Sequence, residues 1–140
     1  MSTVLWANLL HEGKVVADER DKPALYRHSK KLDKLTRQLG LRNFLSFQDY
    51  TDLQFNLSAD ELPPGIESTD ELMAQQGTWM AAQDAVETLT NLIGHIDQNN
   101  IRFGFFSDDR DEILRELKES LVIAERANSV AGMFNFSVVT

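Results

Sequence analysis

Leu25, His28, Leu32, Leu35 and Leu39 recur at spacings of 3, 4, 3 and 4, and only an α-helix gathers such positions onto one stripe. Most of the residues around them are polar, with lysines and arginines on the faces left for water. Asp21 is placed to cap this helix, Pro23 suits its first turn, and Gly40 suits its end. A helix is therefore predicted over residues 23–39. A helix with one apolar stripe must lay that stripe on something, so the rest of the chain is read for what it offers as a floor.

The first floor piece is a hairpin. "TVLWANLL" and "VVAD" are rich in strand-forming residues and flank a glycine turn in "HEGK". Strands are predicted near residues 3–10 and 14–18, the first apolar enough to be buried on both faces. At the other end, "MFNFSVVT" puts Phe134, Phe136 and Val138 on one face of a strand. Leu53, Phe55 and Leu57 alternate with Gln54 and Asn56, which predicts another strand. Residues 43–50 read as either strand or helical turn.

Helices fill the remainder. Ser68 with Glu71 has capping-box spacing and opens a predicted helix over residues 69–76, stopped by Gly77; Ser58 with Glu61 has the same spacing. Asp84 and Glu87 fit a capping box, and Ala85, Val86, Leu89, Leu92, Ile93 and Ile96 make a wide apolar face, which Trp79 and Ala82 extend backwards. Gly94 within it is read as a point of close packing. Ser107 or Asp109 caps a last helix whose buried stripe is Ile113, Leu114, Leu117, Leu121 and Ala124. Strands and helices do not alternate strictly in this order. The expected class is α+β: a small, mostly antiparallel sheet with three to four helices packed on it. Residues 1–140 form a single domain, because neither side of the Pro63-Pro64-Gly65 turn is large enough to fold alone.

Composition removes several chemistries. The 140 residues include no cysteine, which excludes disulfides, zinc thiolates and thiol nucleophiles. No stretch approaches the roughly 18 apolar residues of a membrane span, and the N-terminus lacks a secretory pattern. A cytoplasmic protein that needs no cofactor and no membrane is expected.

Charge is segregated along the chain. The net charge is −8. Residues 22–42 nevertheless carry seven lysines and arginines against Asp33 alone, a local +6. Residues 43–101 carry no lysine or arginine and ten acids. The overall sign argues against nucleic acid, because phosphates need cations to neutralise them. The basic helix is expected to face water or acidic protein.

Motifs for catalysis are missing. His11, His28 and His95 have no ligand spacing, and His28 falls on the apolar stripe as a packed or boundary residue. "SDDRDE" lacks the alternation of a calcium loop and is explained by helix capping. No G-x-S-x-G setting or glycine-rich phosphate loop is present. The reading leans away from an enzyme. It favours a non-enzymatic protein-binding module, of the immunity or inhibitor type in size and acidity, with a basic protein as partner. Its expected contact patch is acidic and aromatic: Asp49, Tyr50, Asp52, Asp70, Glu71 and Trp79. The alternatives are a structural homodimer joining basic to acidic surfaces, or a small-molecule binder or enzyme whose site is assembled from distant residues.

Overall fold

Glu12 and Gly13 both take positive φ, 51° and 77°, the geometry of a two-residue hairpin turn. They join β1 (Val4–His11) to β2 (Lys14–Lys22). The computed structural model describes residues 2–58 and 61–140. Strand β5 (Met133–Val139) pairs antiparallel with the other edge of β1. Two short pieces share the far edge of β5: β3 (Gln48–Asp49) runs parallel to it and β4 (Met80–Ala81) antiparallel. The order is β2-β1-β5-β3, with β4 beside β5. The fold is α+β, with a small and mostly antiparallel sheet.

Alternation decides the two faces of that sheet. Leu5, Ala7 and Leu9 of β1 join Phe134, Phe136 and Val138 of β5 in the main core. Onto this face pack α1 (Pro23–Arg27) and the long α6 (Arg110–Ser129). Behind them come α2 (Ser29–Gln38) and α5 (Ala82–Gln98). A short 3-10 turn at Phe44–Phe47 seals the bottom, with both its rings buried against Phe136. The opposite face carries Asn8, Asn135 and Ser137, also buried. Asn8 donates to Asn135, which donates to the Thr78 carbonyl. The segment between β3 and β4 covers this face, with α3 (Thr51–Leu57) on β5 and α4 (Thr69–Gln76) on β2.

The described residues thus hold six α-helices, more than the three to four expected. One addition is a break. The stripe predicted as a single helix is interrupted at His28, which ends α1 and starts α2. Asp21 does not cap it; the residue belongs to β2 and accepts the Trp6 indole N–H. The N–H groups of Ala24 and Leu25 are met instead by the buried Glu116 carboxylate of α6.

The other addition replaces a strand. Residues 51–57 form α3, although Leu53, Phe55 and Leu57 alternate. The Asp49 carboxylate accepts the Thr51 N–H and turns the chain into a helix. The edge of β5 that such a strand could have used is held by β3 and β4. Leu57 is left largely exposed.

Local signals fared better where they were self-contained. Helix α4 spans the predicted residues, and the Glu71 N–H donates to Ser68 Oγ. Helix α5 starts at Ala82, before the Asp84–Glu87 spacing, with no side-chain cap. Gly94 meets no atom within 4 Å at a Cβ position, so close packing does not explain it. Residues 59 and 60, between Ser58 and Glu61, lie outside the described residues. No helix among the described residues is long and apolar enough to cross a membrane.

Candidate binding surface

The six residues expected to form an acidic and aromatic patch serve different ends. Asp49 is 2% exposed, and its carboxylate accepts the N–H groups of Thr51 and Thr78. It pins β3 to the start of β4 and is closed to a partner. The Trp79 indole donates to the Met73 carbonyl, and Glu71 accepts the Glu67 N–H at the start of α4. Asp52 accepts from Thr69 and Asn56, tying α3 to α4. Asp70 is exposed beside Asp52 and Glu19; burial first, then these two charges, push its carboxyl above the usual range. Tyr50 is half in solvent and donates to Gln48. Burial, and then the neighbouring Tyr26, push its hydroxyl up as well.

The structure therefore brings Asp52 and Asp70 together, keeps Glu71 exposed next to Asp70 on α4, and takes Asp49 inside. Further along, Asp84 lies near Arg42 and Asp97 pairs with Arg110. Phe44, Phe47, Met73 and Met80, apolar residues of the same acidic stretch, are inside. Among the described residues, no three histidine, aspartate or glutamate side chains are arranged to hold a metal ion.

A different feature dominates the outside. Phe105 and Phe106 are 88% and 96% exposed and lie edge to face, with ring centroids 5.1 Å apart. They top the loop of residues 99–109 between α5 and α6. Exposed apolar residues are ordinary when scattered singly; an adjacent pair at nearly full exposure is not.

The loop below them is braced at every turn. Phe103 is fully buried and meets the edge of the His28 ring at 5.5 Å. Its N–H donates to Asp108 Oδ1 at 2.8 Å, and its carbonyl accepts the Asp109 N–H at 2.7 Å. Arg102 Nε donates to the Gly104 carbonyl at 2.9 Å, and its Nη2 reaches the Phe105 carbonyl. Gly104 takes φ of 120°, and a Cβ there would lie 2.2 Å from the Ser107 carbonyl oxygen, so only glycine fits.

Helices α1 and α2 anchor the same loop from outside. His28 Nε2 lies 2.8 Å from Asp109 Oδ2, and Arg27 pairs with that oxygen at 3.1 Å. The His28 bond, opposed by burial and helped by Arg27, holds the Asp109 carboxyl below the usual range. Asp108 is held low too, first by the Phe103 N–H. Lys31 donates to the Arg102 carbonyl and sits 5.0 Å above the Phe103 ring. The break at His28 thus has a use, since it turns the imidazole onto the loop.

No family model, curated sequence or solved structure matches the chain. The reading of this surface accordingly stands on its own residues. "FGFF" was visible in the sequence as a cluster of rings around a glycine, off every apolar stripe. Phe103 of this cluster is nevertheless in the core, so its lack of a period did not separate it from the exposed Phe105 and Phe106.

Proposed function

We propose that this chain is a non-enzymatic protein-binding module that holds its partner through Phe105 and Phe106. The observation that carries the reading is the near-complete exposure of two touching rings on a loop with little freedom left. Burying each ring against a partner is worth roughly 1.5–3 kcal/mol. Association itself has a large entropic cost, and a loop already ordered adds little to it. Aromatic anchors at the centre of a contact supply most of its energy in known interfaces.

The test compares the intact protein with Phe105→Ser/Phe106→Ser in crosslinking inside the native cell, read by mass spectrometry. A partner recovered by the intact chain and lost by the variant, with an unchanged melting curve, is the expected result. Identical crosslinked partners for the two proteins would overturn the reading.

A further inference from the structure

We infer that the outer edge of β2 joins a second copy of this chain, the two strands pairing antiparallel about Val16. This surface is separate from Phe105 and Phe106 and owes nothing to the docking reading. Among the described residues β2 pairs with β1 alone, so its other side is an edge of the sheet. Such an edge presents unpaired N–H and C=O groups to any strand that fits it.

The hairpin fixes which groups these are. A two-residue turn bonds the residues that flank it, here His11 and Lys14. Hydrogen-bonded pairs then alternate along the ladder. Val16 and Asp18 therefore bond to β1 as well, while the N–H and C=O groups of Val15 and Ala17 point outward. The edge is open only this far. Past Asp18 the register of β2 on β1 shifts. There the Arg20 N–H donates to the Asp18 carboxylate, and the Arg20 carbonyl accepts the Lys22 ammonium. A partner strand must pair within residues 14–18.

Only one antiparallel register of this stretch with itself uses both outward residues. It sets Val15 against Ala17 of the copy, Val16 against Val16 on the two-fold axis, and Lys14 against Asp18 of the copy. Val16 is 53% exposed although it stands opposite Leu9 on the face that the helices cover. On that face Arg20 reaches Glu119 of α6 at 3.5 Å. Val122, one helical turn on and 51% exposed, lines the same groove as Arg20. Apolar surface beside the edge is thus left for a neighbour. At the ends of the stretch opposite charges meet. Asp18 is already shared by Arg20 and Lys22, so its pair with Lys14 fixes register more than it adds strength. A stretch running from lysine through valine to aspartate meets its own complement when reversed, which is why the occupant is this chain. The two-fold contact uses up the edge of each copy and closes the assembly at two.

The chain has no cysteine, so single cysteines introduced into the full chain report the register. The two Val16 positions would have Cα atoms about 4.5 Å apart, within disulfide range. The two Lys14 positions would lie about 14 Å apart. Oxidation of Val16→Cys is therefore expected to give a linked dimer at least about tenfold faster than Lys14→Cys. In sedimentation equilibrium the unmodified chain self-associates. Val16→Lys, which sets like charges face to face, weakens this at least about tenfold with an unchanged melting curve. A single monomeric species up to about 0.5 mM overturns the inference, since even a small interface associates at such concentrations. Equal crosslinking at both positions, or a dimer indifferent to Val16→Lys, overturns it as well. A dimer lost in Phe105→Ser/Phe106→Ser but kept in Val16→Lys would place the contact at the rings instead.

Discussion

Asp18→Asn tests whether a buried charge is held as the structure describes. Asp18, Arg20 and Lys22 lie two residues apart along β2, so their side chains share one face. The Lys22 side chain is 0% exposed, and its ammonium donates to Asp18 Oδ2 at 3.1 Å and to the Arg20 carbonyl at 3.0 Å. Arg20 grips the same carboxylate with Nε and Nη2, at 2.9 and 3.0 Å. Burial pushes the Asp18 carboxyl up, but the bonds from Arg20 and Lys22 and the Lys22 charge outweigh it and bring it down to about 2 from 3.8. That gap corresponds to roughly 2.4 kcal/mol, and nearer 1–2 once solvent screening of the exposed Arg20 is allowed for.

Removing the charge by mutation is harsher, because the ammonium stays behind. Breaking a buried pair from one side costs about 3–5 kcal/mol. Asparagine still offers one acceptor, so a loss near 3 kcal/mol is expected, a fall of about 10 °C in melting temperature. Adding Lys22→Met removes the stranded charge, and at least half of the loss should return. Urea unfolding of the two single variants and the double variant at neutral pH measures this. The pH dependence has a definite sign. A carboxylate held low stabilises the fold above its unfolded value, and this is lost as pH falls from 3.8 through about 2. A loss below about 1 kcal/mol in Asp18→Asn, the worth of an exposed pair, would refute the burial argument. So would a double variant no better than the single one.

Phe103→Ala empties a fully buried site and is expected to lower stability by about 3–5 kcal/mol. Phe105→Ala and Phe106→Ala, two and three residues further along the loop, should each change it by less than about 0.5 kcal/mol in the same urea titration. Glu116 is buried, and burial outweighs its two backbone N–H partners to raise its carboxyl above 4.5. The folded chain then keeps a proton that the unfolded chain has lost, so stability falls as pH rises from 4.5 through the raised value. Glu116→Gln should lack that slope when the two proteins are compared across this range by chemical denaturation. Gly94→Ala fills open space in a helix and should stabilise the protein by about 0.5–1 kcal/mol, seen as a rise in melting temperature.

How much of this was legible beforehand varied from element to element. Helix α4 could be read because Ser68 and Glu71 settle its start within one turn. The hairpin could be read because Glu12-Gly13 needs nothing beyond its own backbone geometry. Strand β5 could be read because three apolar side chains at alternate positions leave one face to bury. Residues 51–57 misled, because three alternating apolar residues fit a strand as well as a short helix. The deciding group was Asp49, whose carboxylate is held in place by Thr78, 29 residues away. Asp49 was offered as a contact residue for a related reason. Sequence records that Asp49 is charged and Phe106 is apolar. It does not record that the first is buried against the N–H groups of Thr51 and Thr78 and the second stands in water.

The sequence by itself determined the periods: where strands alternate, where helices carry stripes, and that basic and acidic stretches are separated along the chain. Those properties depend on neighbours within a few residues. The tertiary structure alone decided burial, and burial sets what each charge and ring can do. It placed Lys22 and Glu116 inside and left Phe105 and Phe106 outside. Solvent access is fixed by atoms distant in the chain, so no local pattern contains it.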